Sequence, residues 1–246
     1  QFNSKNVFMK FLVLSVLNLF DFFYKKKLLA KLKEFIGLDI GIFFDVGAHK
    51  GETINFILKH FNVNKTYAFE PLESNIIKLK KNTKKNKLKG KHIEYFNFAL
   101  GKKKEIKNIK EMNESSSSTF NHINQESKYF KRKNLLLNFT NKKSFYSEKK
   151  VSIEKAKDII VKYQINKIDF LKIDTEGYEL NVLKGFEEKV VNINVILFEH
   201  HYDLMIKKNY TFSDINNFLN KNGFLQKGKF KMPFRKTFEY IYENKS

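Results

Sequence analysis

The stretch "FFDVGAHKGET", Phe43 to Thr53, places two glycines directly after a short apolar run that ends in Asp45. Glycine is rare in this chain, with 10 among 246 residues, so two of them four positions apart mark a turn with special backbone geometry. When a helix follows a strand and a glycine turn, the backbone N–H groups of its first turn are free to bind a ligand. The stretch therefore predicts a ligand-binding turn early in an alternating α/β domain.

Two acidic residues frame this turn. Asp45 ends the first apolar run, and Glu70 ends the next one, "TYAFE". The glycine spacing matches neither the dinucleotide fingerprint nor a phosphate loop, and Asp45 would repel a pyrophosphate. A carboxylate at the first strand end suits a cationic amine, whereas one at the second strand end can accept hydrogen bonds from ribose hydroxyls. These residues predict S-adenosyl-L-methionine as the cofactor in preference to NAD.

From Ile42 onward, short apolar runs alternate with stretches of helical spacing. We expect strands at "IFFDV", "TYAFE", "HIEYFNFAL", "KIDFLKID" and "NVILFEHH", and helices between them, one of which is "SIEKAKDIIVKY". The closing runs "FLQKGKFK" and "KTFEYIYEN" predict an antiparallel hairpin. Strands separated by helices indicate an α/β fold with a mostly parallel sheet and helices on both of its faces.

One polar segment, residues 102–150, breaks this alternation. We expect it to be an insertion with a helix near Lys131 to Leu137, because long polar excursions from compact domains often act as lids. In this position it would cover the site of the acceptor substrate.

The N-terminal segment, residues 1–38, precedes the domain proper at residues 39–246. Within it, Met9 to Ile36 predicts an amphipathic helix that packs on the domain or lies on a membrane surface. Lys10 and Asp21 flank an apolar stretch that is too short to span a bilayer. We expect a cytoplasmic protein that reaches a membrane only through this helix.

The net charge of +21 would ordinarily suggest nucleic acid or an anionic membrane as a partner. However, only Arg132 and Arg235 among the 47 basic residues are arginines, and arginine is the residue that reads bases and phosphates best. We therefore expect most of the lysines to lie on solvated faces and do not expect nucleic acid to be the partner. The absence of cysteine excludes disulfides and thiolate metal sites.

Two further strand ends carry ionisable side chains. "FLKIDTEGYELNVLKG" places Asp174 and Glu176 after a buried strand, and "LFEHH" places Glu199, His200 and His201 at the end of another, with His200 as the candidate base. Carboxyl ends of strands are where open α/β sheets bind ligands, so these residues are candidates for general base or for a Mg²⁺ site at Asp174 and Glu176. The alternative is that Asp174 or Thr175 only caps the next helix.

Taken together, these motifs resemble the FkbM-type S-adenosylmethionine-dependent methyltransferases in order and spacing, over about Ile42 to His201. The resemblance implies a class I methyltransferase fold, which is Rossmann-like, with a seven-stranded sheet, one antiparallel strand and helices on both faces. It implies O-methylation of a hydroxyl on a sugar, glycan or small metabolite, often in polysaccharide biosynthesis. The acceptor would therefore be a small molecule or a glycan.

The resemblance also assigns roles to individual positions. It puts Asp45, Gly47, Ala48 and Gly51 around the methionine moiety of the cofactor, Glu70 on the ribose, Asn97 and Ala99 beside the adenine, and Asp174 and Glu176 at the methyl and acceptor. The chain departs from the family pattern over Asn121 to Lys149, where the acceptor would bind.

The general base stays open between Asp174 and His200, and a metal remains the secondary possibility. Two other functions also stay open at this point. A nucleic-acid methyltransferase is favoured by the charge but disfavoured by the lack of an "NPPY"-type or "DPPY"-type tetrapeptide after the Asp174 strand. A non-catalytic cofactor-binding module is disfavoured by the intact set of Asp45, Gly47, Gly51 and Glu70.

Overall fold

The computed structural model describes residues 4–88, 90–112, 118–127, 130, 146–203 and 205–245. The helices in these ranges are α1 (Ser4–Ile36), α2 (Glu52–His60), α3 (Glu73–Leu88), α4 (Ala156–Lys162), α5 (Glu179–Lys184) and α6 (Phe212–Lys221), with a 3₁₀ helix at Glu187–Asn192. The strands are β1 (Asp39–Val46), β2 (Asn62–Phe69), β3 (His92–Phe96), β4 (Ala99–Leu100), β5 (Glu105–Met112), β6 (Ser118–Thr119), β7 (His122–Ile123), β8 (Tyr146–Glu154), β9 (Ile168–Ile173), β10 (Ile193–His201), β11 (Ile206–Lys207), β12 (Phe224–Lys231) and β13 (Thr237–Asn244).

The main sheet has seven strands in the order β12-β13-β10-β9-β1-β2-β3. Strand β13 pairs antiparallel with both β10 and β12, and the other neighbours pair in parallel. The prediction of a seven-stranded sheet with one antiparallel strand is therefore confirmed, as is the closing hairpin. The strand order reverses between β1 and β9, which makes the carboxyl ends of these two strands the expected ligand crevice.

Two apolar layers sandwich the main sheet. Strand β1 contributes Phe44 to one layer and the neighbouring Phe43 to the other, and both side chains are fully buried. Because a parallel sheet is covered on both faces, its strands are apolar on both sides instead of alternating. This explains the continuous apolar run that precedes Asp45.

Helix α1 packs one side of its C-terminal half against the sheet through Leu28 and Leu32. The predicted helix is confirmed, and in the described part of the chain no helix is long and apolar enough to cross a membrane. The amphipathic pattern predicted for it is not borne out, because large apolar side chains, among them Phe22 and Phe23, are exposed away from Leu28 and Leu32.

The segment between β3 and α4 forms a second sheet, in the order β4-β8-β5-β6. Two sequence predictions are corrected here. "HIEYFNFAL" is two strands, β3 and β4, that belong to different sheets, and "SIEKAKDIIVKY" begins in strand β8 before helix α4. The helix predicted at Lys131 to Leu137 lies outside the described residues.

Candidate active site

A cavity of about 330 Å³ opens over the carboxyl ends of β1, β2, β9 and β10. Its floor includes Val46, Phe69 and Lys172, and its outer wall includes Ile109 and Phe120 from the second sheet and the turn that follows it. The volume is in the range of small-molecule sites. The cavity therefore occupies the crevice where the strand order reverses, and the insertion closes one of its sides.

Gly47 makes the turn that follows β1. Its φ is +81°, and its N–H and that of Ala48 both donate to the carbonyl of Phe69, at 3.0 Å. A Cβ atom at Gly47 would lie 1.9 Å from the carbonyl oxygen of Asp174. Glycine is required here because the ends of β1 and β9 touch, and Gly47 and Ala48 line the cavity as predicted for cofactor-binding residues.

Gly51 has a different role from the one predicted. Its φ is +88°, and a Cβ atom there would lie 2.8 Å from Leu79 and 2.9 Å from Thr83, both on α3. Gly51 is not one of the described residues that line the cavity. Its position supports close packing of α2 on α3 and gives no support to the predicted contact with the cofactor.

Glu70 lies just beyond β2 and lines the cavity, with 3% of its surface exposed. One carboxylate oxygen accepts the N–H of His49 at 2.9 Å, and the other accepts the N–H of Leu72 at 3.0 Å and the side-chain amide of Asn75 at 3.3 Å. Burial raises the pKa of this carboxyl, and the three donors oppose that rise. The carboxylate is thus held rigidly between the glycine turn and α3, beside the space in which a ligand would lie.

Of the two positions predicted beside the adenine, only Ala99 lines the cavity. The side chain of Asn97 donates to the carbonyls of Glu70, at 3.0 Å, and Pro71, at 2.9 Å. Asn97 therefore joins the end of β2 to the bend before β4, and its predicted contact with the cofactor is not supported by this geometry.

Beneath the cavity, Lys172 joins two carboxylates. Its ammonium lies 3.5 Å from Asp45 and 3.4 Å from Asp174. Burial raises the pKa of Asp45, which is fully buried, and Lys172 opposes that rise. Burial lowers the pKa of Lys172, but Asp45 and Asp174 outweigh it and raise the pKa. Asp45 is thus a buried anchor below the floor, not a residue of the cavity wall as predicted.

Asp174 lines the cavity, and about a third of its side chain is exposed (33%). The cap alternative is wrong, because α5 begins after Tyr178 with no side-chain cap. Glu179 holds the loop instead: its carboxylate accepts the N–H of Gly177 at 2.8 Å and the hydroxyl of Tyr210. Glu179 itself is buried and does not line the cavity, so its role here is to hold the loop.

The geometry gives no support to the prediction of His200 as a general base. It does not belong to the described cavity lining, its side chain is buried, and its Nε2 atom lies 3.2 Å from the ammonium of Lys208. Burial, the charge of Lys208 and that of His201 lower its pKa to about 3. Successive side chains of a strand point to opposite faces, so His200 points away from the face shared by Glu199 and His201.

The neighbouring His201 is the histidine that joins the acidic residues of the site. Its Nε2 atom lies 3.0 Å from Glu176 and 3.1 Å from Glu199, and its Nδ1 atom lies 3.1 Å from the Thr237 hydroxyl and 3.7 Å from Asp203. Burial lowers the pKa of His201, but these carboxylates outweigh it, so the net shift is upward. The surrounding carboxylates of Glu176, Glu199 and Asp203 therefore favour the protonated form of the ring.

Glu199 lies in the run "LFEHH" that the sequence analysis singled out, but no role was predicted for it. It lines the cavity, and burial together with the charge of Asp174 raises its pKa to about 7, although His201 opposes this. Lys172 was missed as well. The available signals were a lysine inside a buried strand and a glutamate within the run "LFEHH".

The cavity lining is acidic although the chain is strongly basic. Its carboxylates are Glu52, Glu70, Asp174, Glu176 and Glu199, and its lysine and arginine side chains are Lys172 and Arg235. Within the described ranges, no three His, Asp or Glu side chains are arranged to hold a metal ion.

Comparison with known proteins identifies the family. The FkbM methyltransferase domain matches residues 45–225. The chain is similar to the FkbM methyltransferase from Methylobacillus flagellatus KT, with 14% identity, a TM-score of 0.50, and coverage of 83% of this chain but 43% of that one. It is also similar to M. capricolum TrmK, solved with S-adenosyl-homocysteine, with 11% identity, a TM-score of 0.50, and coverage of 89% and 68%.

Identities this low establish the fold alone, and no curated protein sequence gives a significant match. The family match, in contrast, spans more than half of the chain and includes every strand end that lines the cavity. The protein therefore belongs to the FkbM family of S-adenosylmethionine-dependent methyltransferases.

Proposed function

We propose that this protein transfers a methyl group from S-adenosylmethionine to a hydroxyl of a sugar, glycan or small metabolite. The observation that carries the proposal is the carboxylate-lined cavity at the reversal of strand order, with Asp174 on its wall. The family establishes the reaction class, and the charge of the cavity supports the kind of acceptor.

The residues present fit the cofactor. Glu70 is fixed by three donors beside the cavity and retains lone pairs for ribose hydroxyls. At Gly47 the missing Cβ lets the β1 turn approach the end of β9, and Ala48 and Ala99 add small side chains to the wall. The cofactor supplies a methyl group on a positively charged sulfur, and the surrounding carboxylates favour a cationic ligand.

The acidic lining also argues for an uncharged acceptor. Five carboxylates face the cavity against Lys172 and Arg235, so a phosphate-rich strand would be repelled at the point of reaction. Nucleic-acid binding depends on the opposite arrangement, with basic side chains around the substrate. The lysines that produce the net charge of +21 lie mostly elsewhere.

Asp174 is the residue that we propose to orient the acceptor hydroxyl and take its proton. Its carboxylate borders the cavity, and the ammonium of Lys172, 3.4 Å away, stabilises its negative charge. A hydroxyl has to lose its proton as it attacks, whereas an aligned methyl donor needs little further activation. Glu199 is a further carboxylate on the same wall.

Two measurements test this function in sequence. Calorimetry with S-adenosyl-homocysteine should show binding, and a radiolabelled methyl-transfer screen over sugars, glycolipids and RNA should label a hydroxyl-bearing sugar or glycolipid. Binding without labelling of any acceptor would favour a non-catalytic module. Labelling of RNA alone would replace the proposed acceptor with a nucleic acid.

A further inference from the structure

The outer face of α1 carries three exposed phenylalanines. Phe20, Phe22 and Phe23 are 50%, 60% and 59% exposed, whereas Leu28 in the same helix is 6% exposed. With about 3.6 residues per turn, Phe23 lies roughly 140° around the helix axis from Leu28. Phe23 therefore points away from the sheet on which the helix packs, and Phe22 and Phe20, about 120° and 80° from Leu28, lie on either side of it. A folded domain would ordinarily place polar side chains at such exposed positions.

A fourth phenylalanine joins them from another part of the chain. Phe234, in the turn between β12 and β13, is 67% exposed and makes an edge-to-face contact with Phe20 at 5.2 Å between ring centroids. Its φ of +59° is unusual for a bulky residue and is a source of local strain. We call Phe20, Phe22, Phe23 and Phe234 the aromatic patch.

The aromatic patch lies next to a group of lysines and next to the cavity. Lys25, Lys26 and Lys27 follow Phe23 directly on α1, and all three are exposed. Arg235, which follows Phe234, is exposed and also lines the cavity. The mouth of the active site thus opens beside a surface that combines aromatic rings with positive charge.

We propose that the aromatic patch and its lysines dock the protein on an anionic membrane surface. Exposed phenylalanines beside lysines suit the lipid interface, where the rings enter the headgroup region and the ammonium groups contact anionic lipids. Docking would be peripheral, since no described helix can cross a bilayer. If the proposed function holds, docking sets the cavity mouth against the bilayer, and the acceptor hydroxyl belongs to a membrane-borne glycolipid.

Vesicle sedimentation tests the docking without knowledge of the acceptor. The full chain is mixed with vesicles of phosphatidylcholine alone or with a minor fraction of phosphatidylserine. We expect binding to the anionic vesicles that weakens with added salt, and about tenfold weaker binding to the neutral ones. The Phe22→Ser/Phe23→Ser variant and the Lys25→Gln/Lys26→Gln/Lys27→Gln variant should each lose about tenfold in binding.

Matched controls come from α3, which also exposes an apolar side chain among lysines. Ile77, 61% exposed, gives the control Ile77→Ser, and the exposed Lys80, Lys81 and Lys84 give a triple Lys→Gln control of equal charge change. Both controls should sediment like the parent protein. Equal losses in patch and control variants would overturn the proposal, because they would indicate nonspecific attraction of a basic protein.

Two further readouts separate this proposal from its alternatives. Calorimetry with S-adenosyl-homocysteine, performed without vesicles, should be unchanged in the patch variants, so loss of the cofactor site cannot be mistaken for loss of docking. Analytical ultracentrifugation should give the same mass for the parent and the Phe22→Ser/Phe23→Ser variant. A concentration-dependent dimer that this variant abolishes, without vesicle binding by the parent, would assign the patch to a second copy of the chain.

Discussion

The Nε2 atom of His201 lies 3.0 Å from a carboxylate oxygen of Glu176. The same ring touches Glu199, whereas the adjacent His200 lies against Lys208 on the opposite face of β10. Two consecutive histidines thus experience opposite electrostatic environments. Carboxylates raise the pKa of one, and burial with a neighbouring ammonium lowers the pKa of the other to about 3.

We predict that at neutral pH His201 is protonated and His200 is neutral. The folded-state pKa of His201 lies above the unfolded value of about 6.5 and that of His200 below it. Nitrogen-15 NMR of the imidazole rings, assigned with His200→Gln and His201→Gln variants, checks this directly. Two rings that titrate together in the ordinary range of histidine would contradict the prediction.

The His201 contact should also make stability depend on pH. Because its folded-state pKa is raised, its contribution is fully present below about pH 6.5 and declines as pH rises above that value. We expect His201→Gln to cost about 3 kcal/mol in the free energy of unfolding near pH 6, where Asp203, whose pKa is lowered, is still ionised, and less at alkaline pH. Urea unfolding of parent and variant at both pH values measures the difference. A cost that does not change with pH would show that the ring is uncharged in the folded protein.

Replacement of Glu70 should weaken the binding of the cofactor. Glu70→Ala removes a carboxylate that faces the cavity and anchors the N–H of His49, so we expect a loss of about 1.5–3 kcal/mol in binding free energy. Calorimetry with S-adenosyl-homocysteine measures it, with the exposed Glu73→Ala on α3 as control. Unchanged affinity in Glu70→Ala would remove this residue from the site.

The two glycines of the opening stretch should respond differently to alanine. Both have a positive φ, so each substitution carries a backbone cost of about 1–2 kcal/mol. At Gly47 the new Cβ would also lie 1.9 Å from a backbone oxygen of Asp174, whereas at Gly51 it would meet side-chain atoms of Leu79 and Thr83. Gly47→Ala should therefore lower the melting temperature more and also weaken S-adenosyl-homocysteine binding. Equal effects on both properties would argue against the separate roles of the two glycines.

Asp174→Asn tests the chemistry with little change of shape. The structure shows no cap at this position, so the substitution should leave the fold intact while removing the charge beside Lys172. We expect turnover on a confirmed acceptor to fall about 10²-fold or more, with much less change in cofactor affinity. Asp158→Asn, on the exposed side of α4, is the control. Near-parental turnover in Asp174→Asn would shift attention to Glu199 as the proton acceptor.

The sequence by itself determined the alternation of strands and helices and the chemistry at most strand ends. Apolar runs such as "IFFDV" and the glycines that follow are visible in the sequence alone. A strand that is buried on both faces is a continuous apolar run, and a tight turn after it needs glycine. Asp45, the glycine turn and Glu70 were enough to indicate the cofactor, and the order and spacing of the motifs from "FFDVGAHKGET" to "LFEHH" indicated the family. The strand β8 was missed because its polar residues do not form an apolar run, and its partners are distant in sequence.

Only the tertiary structure decided which of these side chains reach the cavity. A strand turns alternate residues to opposite faces, so the choice between His200 and His201 depends on how β10 sits between β9 and β13. Lys172 became part of the site because β1 and β9 are neighbours across a long stretch of sequence, which brings Asp45 within 3.5 Å of it. The contact between Phe20 and Phe234 likewise joins two ends of the chain, and no local pattern encodes such a contact.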